Sequence, residues 1–188
     1  MKKIAFLFFA FAFATFFTTN TYAQCSSSKA KAVKTSYKHE VKDVVDIAIG
    51  SDVHTTLVAA VKAADLVETL KGDGPFTIFA PTNAAFEKLP EGTVGTLLKP
   101  ENKKQLQTIL TYHVVAGRLD SKAVVGAIKA SDGVAEVTTV SGDTLKAMIK
   151  DGEVWLEDEN GNKAKVTAVD LEGSNGVIHV IDRVVLPN

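Results

Sequence analysis

Three features of this 188-residue sequence predict an α+β domain. Apolar residues recur at helical spacing between positions 41 and 113. Beyond Gly117, short alternating stretches take over. The pairs Gly142-Asp143, Asp151-Gly152 and Asn160-Gly161 punctuate those stretches as turns. Helices segregated from antiparallel strands define the α+β class.

Residues 1–23 stand apart from this pattern. Lys2 and Lys3 form a basic start, Ile4 to Phe17 is an uncharged apolar run, and Thr21-Tyr22-Ala23 places small residues at the positions a signal peptidase contacts. These are the zones of a secretory signal peptide, with cleavage after Ala23. The apolar run is shorter than the roughly 20 residues that span a bilayer, so the mature chain is expected to be soluble and not membrane-inserted. Cys25, the single cysteine, follows Gln24 where lipoprotein signals place a small residue. Two readings stay open for it: lipid attachment, or a free thiol able to cross-link two chains into a dimer. Residues 24–40, rich in Ser, Lys and Ala without apolar periodicity, read as a disordered linker, and residues 41–188 as one domain.

Within the domain, Asp43 to Ile49 is a short helix. Ser51 or Asp52 caps the next, with Val53, Leu57, Val58, Val61 and Ala64 on one face, and Leu66, Val67 and Leu70 continue it until Gly72 and Gly74-Pro75. Phe76 to Ala80 is an apolar strand ended by Pro81. Thr82 or Asn83 caps a short helix carrying Ala85, Phe86 and Leu89. Pro100-Glu101 opens a stronger helix in which Leu106, Ile109, Leu110 and His113 share a face. The strands predicted after Gly117 are Val134–Val140, Thr144–Ile149, Glu153–Glu157, Lys163–Val169 and Val177–Leu186, with Asn160-Gly161 the strongest hairpin signal. Apolar residues on both faces of Val177 to Asp182 require that strand to be sandwiched in a core.

Composition narrows the function. Without the leader, 19 basic residues face 22 acidic ones, a net charge of −3, because Lys2 and Lys3 leave with it. Nucleic acid and anionic membranes need clustered positive charge, so neither is expected as a partner. Seven of the ten phenylalanines lie in the leader, leaving little material for an aromatic stacking platform. His39, His54, His113 and His179 are far apart, and no short-range metal-ligand pair exists. Asp158, Asn160 and Asn162 alternate as in a calcium loop, but Gly161 stands at the fourth place instead of the sixth, so a hairpin tip explains them better. No Gly-x-Ser-x-Gly, Walker loop or dinucleotide turn occurs, and no cofactor, metal or catalytic residue is expected.

Three ordered segments resemble the fasciclin-domain family: Thr77 to Phe86 (TIFAPTNAAF), Thr111 to Leu119 (TYHVVAGRL) and Gly176 to Pro187 (GVIHVIDRVVLP). The resemblance runs from about Val41 to the C-terminus. It implies a wedge of two β-sheets with helices packed around it, in which Thr77, Phe79, Pro81, Thr82, Phe86, Asn175, Gly176, His179 and Asp182 are structural signature positions. In animal members the Tyr-His segment and an Asp-Ile pair before the last signature are associated with integrin binding. By resemblance those roles fall on Tyr112 and His113, and on Asp170 and Leu171. Here Leu171 replaces the isoleucine, and Ala168-Val169 stands where some animal members carry Glu-Pro.

The residues themselves support a second reading of each position. His113 and His179 lie on apolar faces, as satisfied core histidines do. Asp170 suits a turn-capping role. The expected function is an exported adhesion or interaction module, secreted, periplasmic or on the cell surface, that binds a protein or glycan of matrix or neighbouring cells. Two other readings stay open: a small-ligand or enzymatic pocket near Tyr112 and His113, and a structural envelope protein without a dedicated ligand. Mass spectrometry of the exported protein should find Gln24 as its first residue; an acylated Cys25 at the N-terminus or an intact leader would overturn that cleavage site.

Overall fold

The computed structural model describes residues 42–188; the leader, the linker and Cys25 lie outside them. The first helix, α1 (Val44–Ile49), starts at Asp43, whose Oδ1 accepts the Asp46 N–H at 2.8 Å. The long second helix of the sequence reading is instead a 3-10 turn (Asp52–His54), α2 (Thr55–Ala63) and α3 (Val67–Leu70). Asp65 causes the break: it takes a left-handed conformation, φ 56°, that no α-helix can propagate. Ser51 makes no capping bond to the backbone. The N-terminus of α2 is capped from elsewhere in the chain, by Asn83 Oδ1 accepting the Thr56 N–H at 3.0 Å.

The strand β1 (Phe76–Pro81) leads to Thr82, which caps α4 (Asn83–Glu87). A second short helix, α5 (Thr93–Leu97), was not apparent in the sequence, because TVGTL mixes β-branched residues with glycine. A 3-10 turn at Pro100–Asn102 precedes α6 (Lys103–Tyr112), the amphipathic helix expected there. The short strand β2 (Val114–Ala116) follows. The chain then forms α7 (Ser121–Ala130), which corrects the expectation of strands and turns throughout this half. Val124, Val125 and Gly126 conceal that helix in the sequence, but Asp120 caps it by accepting the Ala123 N–H at 2.7 Å, and Val124 and Ile128, one turn apart, are both buried.

The remaining strands are β3 (Val134–Thr138), β4 (Thr144–Lys150), β5 (Glu153–Glu157), β6 (Lys163–Gly173) and β7 (Gly176–Ile181). They join β1 and β2 in the order β2-β1-β7-β6-β5-β4-β3. Only β1 and β7 run parallel; every other neighbouring pair is antiparallel. The eleven-residue β6 belongs to both halves of the array, and irregular register between Val166 and Leu171 bends it. The two ends of the array meet where Val115 bridges Thr139 and the Val140 N–H donates to Val114 O at 2.7 Å. The result is the expected wedge: two sheet faces sharing β6.

Two cores follow from this arrangement. Phe79, Tyr112, Val115, Leu145, Leu156 and Ile181 pack between the halves, with Val124 and Ile128 of α7 among them. On the other face of β1 and β7, Ile78, Ala80 and Ile178 pack under α1, α2 and α6. Every residue of β7 is buried, as its two apolar faces required. The strand is shorter than the predicted Val177–Leu186, because pairing stops at Ile181. The following Val184 and Val185 are buried in the helix-side and inter-sheet cores respectively, so this apolar run leaves the sheet without leaving the interior.

The Asn160-Gly161 hairpin joins β5 to β6 as expected, and its tip fastens the C-terminal segment. Asp158, 3% exposed, accepts N–H bonds from Asn160 (3.0 Å), Asn162 (2.8 Å) and Leu186 (3.0 Å) and from the Asn162 amide (3.1 Å). Its carboxylate is fully engaged by protein donors. Replacing Asp158 by Ala should destabilise the fold by about 3 kcal/mol, since the four hydrogen bonds to one buried carboxylate are lost at once. Urea denaturation measures this, and a loss well under 1 kcal/mol would contradict the role given to Asp158.

Candidate functional site

The residues singled out from the sequence fall into three places. Tyr112 and His113 close α6 and point inward. Tyr112 is fully buried between the sheet halves, its hydroxyl donating to Thr144 O at 3.1 Å, and burial pushes its phenol up to about 12. His113 is 2% exposed. Its Nδ1–H donates to Ile109 O at 2.7 Å, and its Nε2 accepts the Val185 N–H at 3.2 Å. That pair of bonds requires the neutral ring, and burial pulls its pKa down to about 4. Neither side chain presents an atom to a partner in this conformation.

Asp170 and Leu171 lie at the bend of β6. Asp170 takes φ 58°, and its carboxylate accepts the Ser121 N–H at 2.8 Å and the Ser121 hydroxyl. The hydroxyl bond is the main reason the carboxyl sits below the ordinary carboxylate range. The bend is thereby clipped to the first turn of α7, where negative charge is favoured by the helix dipole. The Asp170 N–H reaches His179 Nδ1 at 3.5 Å, and His179 Nε2–H donates to Leu119 O at 2.7 Å. Val169 and Leu171, either side of the clip, are exposed, at 44% and 37%. The clip partners Leu119 and Ser121 escaped the sequence reading; Asp120-Ser121 ahead of an apolar run was the capping signal available for them.

The signature positions form the scaffold beneath. Asn175 Oδ1 accepts the Val44 N–H at 3.1 Å, and its Nδ2 donates to Leu70 O (2.8 Å) and Gly72 O (3.0 Å), so one amide ties α1, α3 and the start of β7. Gly176 is obligatory for a different reason: a Cβ there would lie 2.2 Å from Phe76 O across the parallel pair. Thr77 donates to Gly117 O at 2.7 Å and accepts the Leu119 N–H at 2.8 Å. Phe79 stacks on His179 with ring centroids 5.7 Å apart. Pro81 ends β1, Thr82 caps α4, and Phe86 packs on the helix-side core. Asp182 accepts the Lys165 N–H at 2.8 Å and pairs with Lys88 at 2.9 Å, joining β6 to α4.

The third histidine of the described residues, His54, is also buried and its pKa is lowered by burial; Nδ1 meets Ser51 Oγ at 2.9 Å. Among the described residues, no three His, Cys, Asp or Glu side chains gather as a metal site, and no helix is long and apolar enough to cross a membrane.

Comparison with known proteins matches this architecture. A family model described as the fasciclin domain covers residues 52–187. Protein sll1483 of Synechocystis is 47% identical over 162 residues, spanning 86% of this chain and 83% of that protein. Transforming growth factor-beta-induced protein ig-h3 of Sus scrofa is 38% identical over 144 residues, which are 77% of this chain but only 19% of that much longer one. Among solved structures, the FAS1 domain pair of the insect cell adhesion molecule fasciclin I superposes with a TM-score of 0.56 at 22% identity, over 69% of this chain and 43% of that one. The chain belongs to the fasciclin-domain family.

The burial of His113 sets a pH dependence. Its folded pKa, about 4, lies below the ordinary histidine value of 6.5, so protons favour the unfolded chain. The stability it contributes is complete above about pH 6.5 and is lost as pH falls towards 4, by about 3 kcal/mol in all. An NMR titration should find the His113 ring neutral at pH 5, and a midpoint near 6.5 would contradict its buried state.

Proposed function

We propose that the protein is an extracellular adhesion or interaction module, exported by its leader, that binds a protein or glycan of the matrix or of neighbouring cells. The observation carrying this reading is membership of the fasciclin family across nearly the whole described domain, one of whose relatives is a cell adhesion molecule. The state of the histidines favours binding over catalysis. His113 and His179 are both buried with both ring nitrogens engaged, and among the described residues no polar groups converge on them in an open cleft.

On this reading, recognition falls to the surface at the β6 bend and not to the interior. Asp170 holds the bend, while Val169 and Leu171 offer apolar contact area beside the exposed Arg118–Glu172 pair. Tyr112 and His113 contribute indirectly, by fixing the end of α6 on which β2 and the neighbouring loop rest. A single domain of this kind binds weakly, and clustering on a surface supplies avidity.

A panel of matrix proteins and glycans, probed with the purified protein, tests the proposal. Leu171→Glu should lower retention by about fivefold or more, as loss of an interface anchor does, while Tyr112→Phe should leave it unchanged. If the purified protein retains nothing from the panel, and deletion of its gene alters neither cell aggregation nor biofilm, the adhesion reading has no basis. Binding lost in Tyr112→Phe but kept in Leu171→Glu would move the contact away from the bend.

A further inference from the structure

Among the described residues, two Asn-Gly dipeptides occur, Asn160-Gly161 and Asn175-Gly176, and the fold treats them oppositely. In this dipeptide the glycine nitrogen can approach the preceding side-chain amide carbon, because no Cβ shields it. Asn175-Gly176 is locked. The Asn175 side chain holds the Val44 N–H, Leu70 O and Gly72 O, and its backbone oxygen accepts the Phe76 N–H. Gly176 is buried against the Phe76 backbone, so neither residue is free to turn towards the other. Asn160-Gly161 stands at the exposed tip of the β5–β6 hairpin, and a Cβ at Gly161 would meet nothing within 4 Å. The Gly161 N–H is held within the turn by Asp158 O at 3.0 Å. The Asn160 amide is nevertheless a fastener: Nδ2 donates to Leu186 O at 3.2 Å and to Pro187 O at 3.3 Å.

We propose that Asn160 is a site of spontaneous deamidation, and that its conversion releases the segment after β7 from the hairpin tip. The Gly161 nitrogen attacks Asn160 Cγ, forming a C–N bond as the bond from Cγ to Nδ2 breaks. Ammonia leaves with the proton of the Gly161 amide, and a succinimide remains. Water then adds to one of the two ring carbonyls and reopens it, giving aspartate or isoaspartate. Solvent is the sole co-reactant. Aspartate places a carboxylate where Nδ2 had donated to the Leu186 and Pro187 oxygens, beside the Asp158 carboxylate that accepts the Leu186 N–H. Isoaspartate instead lengthens the backbone by one methylene, in the turn that sets the β5–β6 register. Val184 and Val185, buried in the two cores, immediately precede the released residues, so the change bears on the interior as well. The modification involves none of the residues assigned to the adhesive surface at the β6 bend.

Timed incubation of the purified protein in mildly alkaline buffer, followed by peptide mapping for aspartate and isoaspartate, tests the assignment. In the native protein Asn160 should convert about tenfold or more faster than Asn175, since an exposed tip opens at far lower free energy than a buried strand. In concentrated urea the two should convert at comparable rates, because the dipeptide is the same. Asn160→Asp, which installs one product directly, should speed hydrogen exchange at the Leu186 amide by about fivefold or more, the scale of one lost hydrogen bond. An Asn160 that stays intact, or native conversion at Asn175 that matches it, overturns the site. A preference for Asn160 that persists undiminished in urea overturns the structural cause. Unchanged exchange at Leu186 in Asn160→Asp overturns the release.

Discussion

Parallel pairing of β1 with β7 is the contact on which the remaining architecture rests. Six residues of each strand run in register from Phe76 opposite Gly176 to Pro81 opposite Ile181, with both faces of the pair buried. The two strands are about a hundred residues apart in sequence, so closing that loop costs conformational entropy before the contact returns anything. Burial on both faces offsets the cost: one side receives the helices and the other receives the opposing sheet half. The close approach of the two backbones depends on Gly176, and the alignment of their starting ends depends on Asn175, whose backbone oxygen accepts the Phe76 N–H at 3.0 Å.

Around that pair, buried and half-buried polar groups act as fasteners. Asn175, Asp158, His113, Thr77 and Asp182 each join segments far apart in the chain, and each has its bonding capacity spent on backbone or on a specific side chain. Buried polar groups are tolerable only on this condition. Thr77, His113 and Asp182, which lie in the signature segments of this chain, are among these ties. The same economy explains why the inward Tyr112-His113 segment and the outward Asp170-Leu171 segment, both linked by resemblance to binding, serve different ends of the structure.

The surface is left to the loops and the bend of β6. Asp170, in a left-handed conformation rare for a residue with a Cβ, is held there by Ser121 and by the neighbouring His179, itself stacked on Phe79. A rigid interior therefore reaches the exposed Val169 and Leu171 through two hydrogen-bonded steps. Small rearrangements of the bend would have to break these bonds.

Much of this was legible in the residues. Periodicity located α1, α6, β1, β5 and the Asn160-Gly161 hairpin, because each is specified by a local pattern: a cap, an amphipathic face or a turn dipeptide. The double-sided apolarity of residues 177–181 announced a sandwiched strand, and the apolar setting of His113 and His179 announced their burial. The three signature segments identified the family before any contact was visible. The α7 helix, the break at Asp65 and the early end of β7 were not legible. Valines suit helix, strand or irregular core equally once buried, so tertiary packing, not propensity, decided their state. Only the folded chain could set Asp170 against Ser121, place Asn83 over the start of α2, or bring Leu186 to the Asn160 amide, since these depend on long-range closure that no local spacing encodes.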